Sequence, residues 1–311
     1  MKAKIKQIDI PQDKRLVCIS DIHGDIVLFK RLLDKVNYCE DDILILLGDL
    51  YYTRSDEISG HSTLKFIIEL SKNPNVHVLR GNCDYVIENC FDSAEIEWLE
   101  NLPHIIESKD HIFVHGGLTS NDLSEQDMKS CTKNDAFMEK GLKFDKYVIT
   151  GHWSVVSYTH EIPCFNPVVN EESRIISIDG GHINIISGQL NAFVIQDGKF
   201  SFDYVDNSTT ITVEKPQTAK GGSLNITWLD RFVELVEEGE IFSTYKHLKT
   251  GKLISIPKST VWVDNEGNLC NGNFGTDYYL PLNAGDAISV VNKFGNMIYA
   301  KANGTCGWVE I

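Results

Sequence analysis

Five consecutive strand-like segments in the first half of the chain are each followed by side chains that bind metal ions. After these segments the sequence reads, in order, Asp21-Ile-His23-Gly-Asp25, Gly48-Asp49, Gly81-Asn82-Cys83-Asp84, His115-Gly-Gly and Gly151-His152. Carboxylate, imidazole and amide groups together suit manganese, iron or zinc rather than calcium. One such motif alone is common, and a lone histidine usually has a structural role, but five in series argue against chance. The series predicts a transition-metal site.

The elements that must position these side chains follow from hydrophobic periodicity. Apolar runs predict strands, and apolar residues at helical spacing predict three helices between them. The strands are Leu16–Ser20, Ile43–Leu47, Val76–Leu79, His111–Val114, Tyr147–Thr150 and Arg174–Ile178, and the helices are Val27–Val36, Thr63–Leu70 and Ser93–Leu102. This is an α/β layout with a sheet covered by helices. In such sheets the carboxyl ends of the strands converge on one crevice, where we expect the metal site.

The last third of the chain has a different composition. Residues 207–223 are polar and contain Lys-Pro and Gly-Gly, which is typical of a linker, although the segment Ile-Thr-Val-Glu within them could form a short strand. Residues 224–311 are rich in β-forming residues and turn dipeptides, which predicts a small all-β domain. We expect Phe232, Trp262 and Trp308 in its core. The candidate ligands all lie in residues 1–206, so the chemistry should reside there.

Charge and cysteine usage limit the classes of function. The net charge is −15; residues 207–311 carry 9 basic and 11 acidic residues, so the preceding 206 carry 20 and 33. A domain this acidic repels polyanions, which argues against a nucleic-acid surface, whereas bound cations would still admit a small phosphorylated substrate. The eight cysteines show no CxxC spacing, and no apolar run reaches the length of a signal peptide or membrane span. We expect a cytoplasmic protein that does not bind membranes.

The ordered series SDIHGD, LLGDL, LRGNCD, FVHGGL, TGHW and SIDGG resembles the calcineurin-like metallophosphoesterases, most closely bacterial members of the phosphoprotein phosphatase branch. The resemblance covers residues 16 to about 205 and implies a four-layer αββα sandwich, with 1–206 as its catalytic domain. It also implies two divalent ions, of which manganese fits best, with iron and zinc as alternatives. Water activated between them would attack phosphorus in line. The end of the chain resembles bacterial Src-homology-3-like barrels.

The resemblance also assigns roles to individual residues. Asp21 and His23 would hold the first ion, and Asp49 would bridge both. The second ion would be held by Asn82, His115 and His152. Asn82 and His115 would also lie close to the phosphoryl oxygens and take part in catalysis.

Two positions depart from the phosphoprotein phosphatase pattern. That family protonates the leaving alcohol with a histidine–aspartate pair, but here Cys83 and Thr53 occupy those positions, and one residue is inserted before Thr53. Arg54 still matches the arginine that binds the substrate phosphate, because a guanidinium fork fits phosphate oxygens. Asp56, His61 and Asp84 are considered as other proton donors. Without an acid, the enzyme should favour esters whose leaving group departs unprotonated.

Three functions therefore remain open at this stage. The first is a metal-dependent phosphomonoesterase that acts on a small molecule or a phosphoprotein and binds a partner through its C-terminal barrel. The second is a phosphodiesterase or dinucleotide hydrolase, because the Gly-Asn-Cys-Asp form occurs in small phosphodiesterases of the same superfamily. The third is a metal-binding pseudophosphatase that acts as a binding module. All six ligand positions are filled, which argues against the third.

Overall fold

The computed structural model describes residues 1–52, 57–87 and 89–310, without the side chains of residues 57–59. The chain divides into two compact units. The first contains Met1–Val155, Asn166–Ile183 and Gln189–Asp206, and the second contains Val156–Phe165, Asn184–Gly188 and Asn207–Ile311.

The first unit is a mixed α/β structure with two sheets. Its strands are β1 (Ile5–Gln7), β2 (Leu16–Ile19), β3 (Ile43–Leu46), β4 (Val76–Val78), β5 (Ile105–Glu107), β6 (His111–Val114), β7 (Tyr147–Thr150), β8 (Val168–Asn170), β9 (Ile175–Ser177), β10 (Leu190–Gln196) and β11 (Lys199–Val205). Its helices are α1 (Ile26–Lys35), α2 (Glu57–Leu70), α3 (Ser93–Asn101) and α4 (Met128–Thr132). The strand orders are β1-β5-β6-β7-β9-β8 and β11-β10-β2-β3-β4. The parallel pairs β2–β3, β3–β4, β6–β7 and β7–β9 bring the carboxyl ends of their strands together within each sheet.

Buried side chains explain how these elements pack. Strands β2 and β3 are buried along their whole length, as expected for strands covered on both faces. One face of β2, with Val17 and Ile19, packs with residues of α1, α2 and α3. The other face, with Leu16 and Cys18, packs with side chains of β6, β7 and β9 from the second sheet. Both faces of the five-stranded sheet therefore contribute to a core.

The helix ends follow local hydrogen bonding. Helix α1 buries Phe29, Leu32 and Leu33, as its periodicity predicts, and its first turn is capped by the Asp25 carboxylate. Helix α3 begins at Ser93, as predicted, and its cap is the preceding residue, Asp92. Asp92 accepts the N–H groups of residues 94 and 95, because its carboxylate forms a reciprocal capping box there.

The second unit consists mainly of β-strands. They are β12 (Thr209–Thr212), β13 (Val233–Glu237), β14 (Phe242–His247), β15 (Leu253–Pro257), β16 (Val261–Val263), β17 (Leu269–Asn271), β18 (Ala287–Phe294), β19 (Met297–Ala302) and β20 (Thr305–Glu310). They form sheets of four, three and two strands, in the orders β12-β18-β19-β20, β13-β14-β15 and β16-β17. Within the described residues these strand orders do not close into a barrel, so the barrel stays a prediction.

Some expectations for the second unit need correction. Strand β12 overlaps the segment within residues 207–223 that could form a short strand, and it pairs with β18. Trp308 is buried as expected, but Trp262 is 37% exposed and stacks against the exposed Trp228, so it does not belong to the core. Phe232 is only half-buried.

Two segments that precede residue 206 belong to the second unit. Phe165 is 1% exposed and packs in one cluster with Phe274, Tyr299 and Trp308. The N–H of Phe165 donates to the carbonyl of Gly304, and the N–H of Cys306 donates to that of Pro163. Residues 156–165 and 184–188 therefore fold with the C-terminal strands rather than with the sheets that precede them.

No helix within residues 1–52, 57–87 and 89–310 is long and apolar enough to cross a membrane.

The aromatic cluster around Phe165 gives a stability prediction. Phe165→Ala should lower the free energy of unfolding by about 3–5 kcal/mol, because it leaves a cavity in this core. Phe202→Ala is the matched control; Phe202 is 44% exposed, and its loss should change stability by less than about 0.5 kcal/mol. Urea unfolding followed by fluorescence measures both. Equal stability of the two variants would contradict the packing described. A fragment that ends near residue 215 and is as stable as the full chain would also contradict it.

Candidate metal centre

The backbone turns sharply where the strands reach the predicted site. Four predicted ligands adopt left-handed backbone conformations, with φ of 56° at Asp21, 47° at His23, 51° at Asp49 and 64° at His152. For residues other than glycine this conformation costs about 1 kcal/mol or more, and it occurs preferentially at functional sites. In this conformation the backbone leaves the strand direction, and the four side chains are directed toward one another.

Asp49 lies between two imidazole rings in the buried part of the site. Its Oδ2 is 3.7 Å from His23 Nε2, and its Oδ1 is 3.4 Å from His115 Nε2. Asp21 Oδ1 lies 3.7 Å from the same His23 nitrogen. The three residues Asp21, Asp49 and His115 offer ligand atoms within 4.8 Å of one another, close enough to hold one ion. Because its two oxygens face different histidines, Asp49 has the geometry of a bridging ligand.

A second group of acceptor atoms converges around Asn82. Its side-chain oxygen lies 2.8 Å from His152 Nδ1, 3.2 Å from His115 Nε2 and 3.1 Å from the carbonyl oxygen of Thr132. An oxygen in this place faces only other acceptors, so either the amide turns over to present its NH₂ or a cation lies among them. The donor set of one amide oxygen and two imidazole nitrogens suits a transition-metal ion.

Two of the histidines are held by backbone carbonyls. His23 Nδ1 lies 2.9 Å from the carbonyl oxygen of Tyr52, and His115 Nδ1 lies 2.9 Å from that of Leu47. A carbonyl only accepts, so both rings carry a hydrogen on Nδ1, and Nε2 is the nitrogen that faces the site and could bind a metal ion once it is unprotonated. His152 has the reverse arrangement, with Nδ1 toward Asn82 and Nε2 toward Asp135.

The carboxylates create an environment that attracts positive charge. Burial disfavours the charged imidazolium, but the hydrogen bond to Asp21 and the charge of Asp49 raise the pKa of His23 to about 9. Burial again opposes the charge of His115, and Asp49 and Asp21 raise its pKa to about 10. Burial opposes the charge of Asp49, yet His115 keeps the Asp49 pKa below its usual range. The site therefore stabilises cations in a buried place.

Asp84 supports the loops that carry the ligands. The side chain is fully buried, and its carboxylate accepts the backbone N–H groups of Asp49, Leu50 and Gly81 at 2.8–2.9 Å. Burial and then the charge of Asp49 raise the Asp84 pKa to about 6. Since its oxygens are occupied by backbone donors, Asp84 acts as a structural support rather than as the proton donor considered above.

The other donor considered, His61, is also engaged. Its Nε2 lies 3.0 Å from both carboxylate oxygens of Glu95. Three further residues of this region, Thr53, Arg54 and the possible proton donor Asp56, lie outside the described residues.

Cys83 is a candidate ligand that sequence reasoning missed. Its sulfur, a nitrogen of His23 and an oxygen of Asp49 lie within 4.8 Å of one another. Burial and the charge of Asp49 raise the pKa of the thiol well above its usual value. The N–H of Cys83 donates to Asp49 Oδ1 at 2.8 Å, so the residue also orients the bridging carboxylate. Its position directly after Asn82 was the available signal, but the sequence suggested only packing.

Comparison with known proteins follows from this geometry. The model of one protein family, the calcineurin-like phosphoesterases, matches residues 14–188. No curated protein is similar enough in sequence to match the chain.

Two solved structures illustrate the likeness of fold. A candidate diadenosine tetraphosphatase is 17% identical, with a TM-score of 0.52, over 66% of this chain and 99% of its own. A serine/threonine protein phosphatase from Saccharomyces cerevisiae is 11% identical, with a TM-score of 0.48, over 70% of this chain and 86% of its own. The likeness to the first of these structures concerns the fold alone.

Gly151 gives a test of how tightly the site is built. A Cβ at this position would lie 1.8 Å from Ser20 Oγ and 2.5 Å from Asp21 Oδ2. Gly151→Ala should therefore displace the Asp21 carboxylate and weaken metal binding by about tenfold or more, while the chain remains folded. Gly198→Asn is the control, since Gly198 has no atom within 4 Å of its Cβ position and asparagine tolerates its positive φ. Metal titration measures the affinity of each variant, and its melting temperature shows whether it is folded. Unchanged metal affinity in Gly151→Ala would contradict the packing.

Proposed function

Because the chain belongs to the calcineurin-like phosphoesterase family, whose members hydrolyse phosphoric esters, we propose that it is a phosphomonoesterase dependent on two divalent metal ions. The observation that supports this most is the placement of Asp49, whose two oxygens face His23 and His115 separately. One carboxylate can thereby serve two adjacent ions.

The proposed ligand sets follow the two groups of atoms. Asp21 and His23 hold the first ion together with Asp49. The second is held by Asp49, Asn82, His115 and His152. Manganese is the metal we propose, and iron or zinc would suit the same donors. When bound, such ions supply Lewis acidity, which acidifies water and offsets the charge of the phosphoryl oxygens.

The chain's own residues orient the substrate. We assign the phosphate clamp to Arg54, as the sequence pattern indicates, because a guanidinium group binds two phosphate oxygens at once. We also assign Asn82 and His115 a place close to the phosphoryl oxygens beside the second ion, as the sequence resemblance implies. The second unit carries none of the proposed ligands, and we propose that it binds a protein partner.

The replacement of the histidine–aspartate acid pair of the related phosphatases determines which esters should react. Cys83 stands where the related phosphatases have their acid, and its raised pKa makes the thiol a poor donor. Asp84 is occupied by three backbone N–H groups, and His61 by Glu95. The leaving group must then depart without a proton from these residues.

A second candidate substrate is a phosphodiester or dinucleoside polyphosphate. In a dinucleoside polyphosphate the bond broken is a phosphoanhydride, so the leaving group is a phosphate, which departs unprotonated and needs no acid. A phosphodiester expels an alcohol, so only one with an acidic leaving group, such as an aryl diester, would react without an acid. The Asn82-Cys83-Asp84 sequence also favours this reading, since that form occurs in phosphodiesterases of the superfamily. A pseudophosphatase is the weakest alternative, because a site without catalytic demand has no need to keep all six ligands.

The missing acid leads to a prediction about leaving groups. General acid catalysis contributes about 10²–10⁴ in rate, so aryl phosphates should be hydrolysed faster than alkyl phosphates by at least this factor. The measurement compares kcat/KM for nitrophenyl phosphate, a phosphoserine peptide, bis-nitrophenyl phosphate and diadenosine tetraphosphate with added Mn²⁺. Activity that survives a chelator identifies a contaminant.

The outcomes of this panel separate the candidates. Fast turnover of aryl monoesters supports the monoesterase, and fast turnover of the diester or the tetraphosphate supports the second candidate. Cys83→Ala should leave the ratio of aryl to alkyl rates unchanged. A selective loss of alkyl turnover in that variant would identify the thiol as the missing acid, and no metal-dependent activity on any substrate would refute an enzyme of this class.

A further inference from the structure

Asp135 lies beside the candidate metal centre although no sequence motif drew attention to it. Its Oδ1 is 2.7 Å from His152 Nε2, which makes this the shortest contact of that imidazole ring with a carboxylate in the described residues. The side chain of His152 is 11% exposed, whereas that of Asp135 is 52% exposed. The carboxylate therefore approaches the ring from the solvent side, and the opposite nitrogen faces the buried acceptors around Asn82.

The contact settles which nitrogen of His152 carries the hydrogen. A carboxylate only accepts, so Nε2 must carry the hydrogen that it donates to Asp135. Nδ1 then has its lone pair free, 2.8 Å from the side-chain amide of Asn82. This orientation is the reverse of that of His23 and His115, which direct Nε2 into the site.

Asp135 belongs to a short stretch that supports the second metal position, residues 131–135, which we call the buttress segment. Its Thr132 carbonyl oxygen is 3.1 Å from the Asn82 amide, and the Cys131 carbonyl accepts the N–H of Gly116. A Cβ on Gly116 would lie 2.8 Å from backbone atoms of residues 132 and 133, so the segment packs directly beside His115. The buttress segment therefore lies next to Asn82, His115 and His152, the three residues that are proposed to hold the second ion together with Asp49.

The buttress segment is itself fixed in place. Asn134 is buried and donates to the carbonyl of Leu118 at 3.3 Å, while Lys140 donates to its side-chain oxygen. Neighbouring residues alternate in exposure, with Asn134 inward and Asp135 outward. The backbone that carries Asp135 is therefore held in place by the contacts of its neighbour Asn134.

We propose that Asp135 is a positioning residue for the second metal ion, which holds His152 through Nε2–H so that Nδ1 binds the ion. The inference rests on the proposed function. Histidine ligands commonly donate their second ring hydrogen to such a partner, and its loss costs about 10–100-fold in metal affinity. The partners of His23 and His115 are backbone carbonyls, which substitution cannot remove. Among the described contacts on the nitrogens that face away from the site, the one with Asp135 is therefore the contact that mutagenesis can test.

The experiment measures Mn²⁺ binding to the full-length chain by titration calorimetry, with metal analysis at fixed free Mn²⁺. Wild type should bind two ions. Asp135→Ala should weaken one of them by about 10–100-fold and leave the other within about threefold. Asp135→Asn is the matched control, because it removes the charge but keeps an oxygen that accepts from Nε2–H, and it should retain most of the affinity. Asp41→Ala, at a side chain that is 91% exposed, should have no effect.

The results distinguish the two proposals. Fewer than two ions in wild type would refute the binuclear centre, and the role of Asp135 with it. If wild type binds two ions and Asp135→Ala binds both with the same affinities as wild type, the role of Asp135 is overturned while the binuclear centre stands. An equal loss in the Asn and Ala variants would mean that Asp135 acts only through its charge, which also overturns it.

A spectroscopic measurement on wild type requires no substitution. In the zinc-loaded chain with ¹⁵N-labelled histidine, His152 should show a hydrogen on Nε2 and a metal-shifted Nδ1, while His23 and His115 should show the reverse. Coordination of His152 through Nε2 would overturn the proposal.

Discussion

Buried carboxylates that share one site are the constraint on which this molecule depends. Asp21, Asp49, Asp84 and Asp179 are each at most 3% exposed, in loops that converge at the strand ends. Burial and then the charge of Asp21 raise the pKa of Asp179 to about 7, as burial and Asp49 do for Asp84. Negative charge without compensation in such a place is costly, so the loops must supply donors or hold cations. The imidazoles of His23 and His115 and the backbone N–H groups compensate part of this negative charge, and two divalent ions would compensate the remainder.

The backbone is arranged to keep these acceptors together. Left-handed residues at the strand ends and glycines without room for a Cβ bring loops from both sheets into contact. At Gly81 a Cβ would lie 2.2 Å from Asp49 Oδ1, which shows how closely the chain approaches the bridging carboxylate. Such local strain persists only where the surrounding core holds it. The extensive apolar packing of β2 and β3 on both faces provides that support, so the stability of the sheets and the geometry of the site are linked.

Much of the site could be predicted from the sequence. The candidate ligands directly follow strands, and the strands are visible in the sequence as hydrophobic patterns. The strands beginning at Leu16, Ile43 and Tyr147 lie where periodicity predicts them. Asp135 could not be found this way, since it lies in an irregular loop and meets His152 only through the fold. The metal-facing position of Cys83 was missed because a thiol beside a ligand is as consistent with packing. The membership of residues 156–165 and 184–188 in the second unit depends on long-range contacts that no local pattern encodes.

The central claim is that Asp49 bridges two ions between separate sets of ligands. Crystals grown with Mn²⁺ and measured at the manganese absorption edge test it directly, since anomalous scattering locates each ion without assumptions about its ligands. The account predicts two peaks about 3.5–4 Å apart. One should lie beside Asp21 and His23 and the other beside Asn82, His115 and His152, with Asp49 between them. A single peak, or two peaks that do not share Asp49, would contradict it.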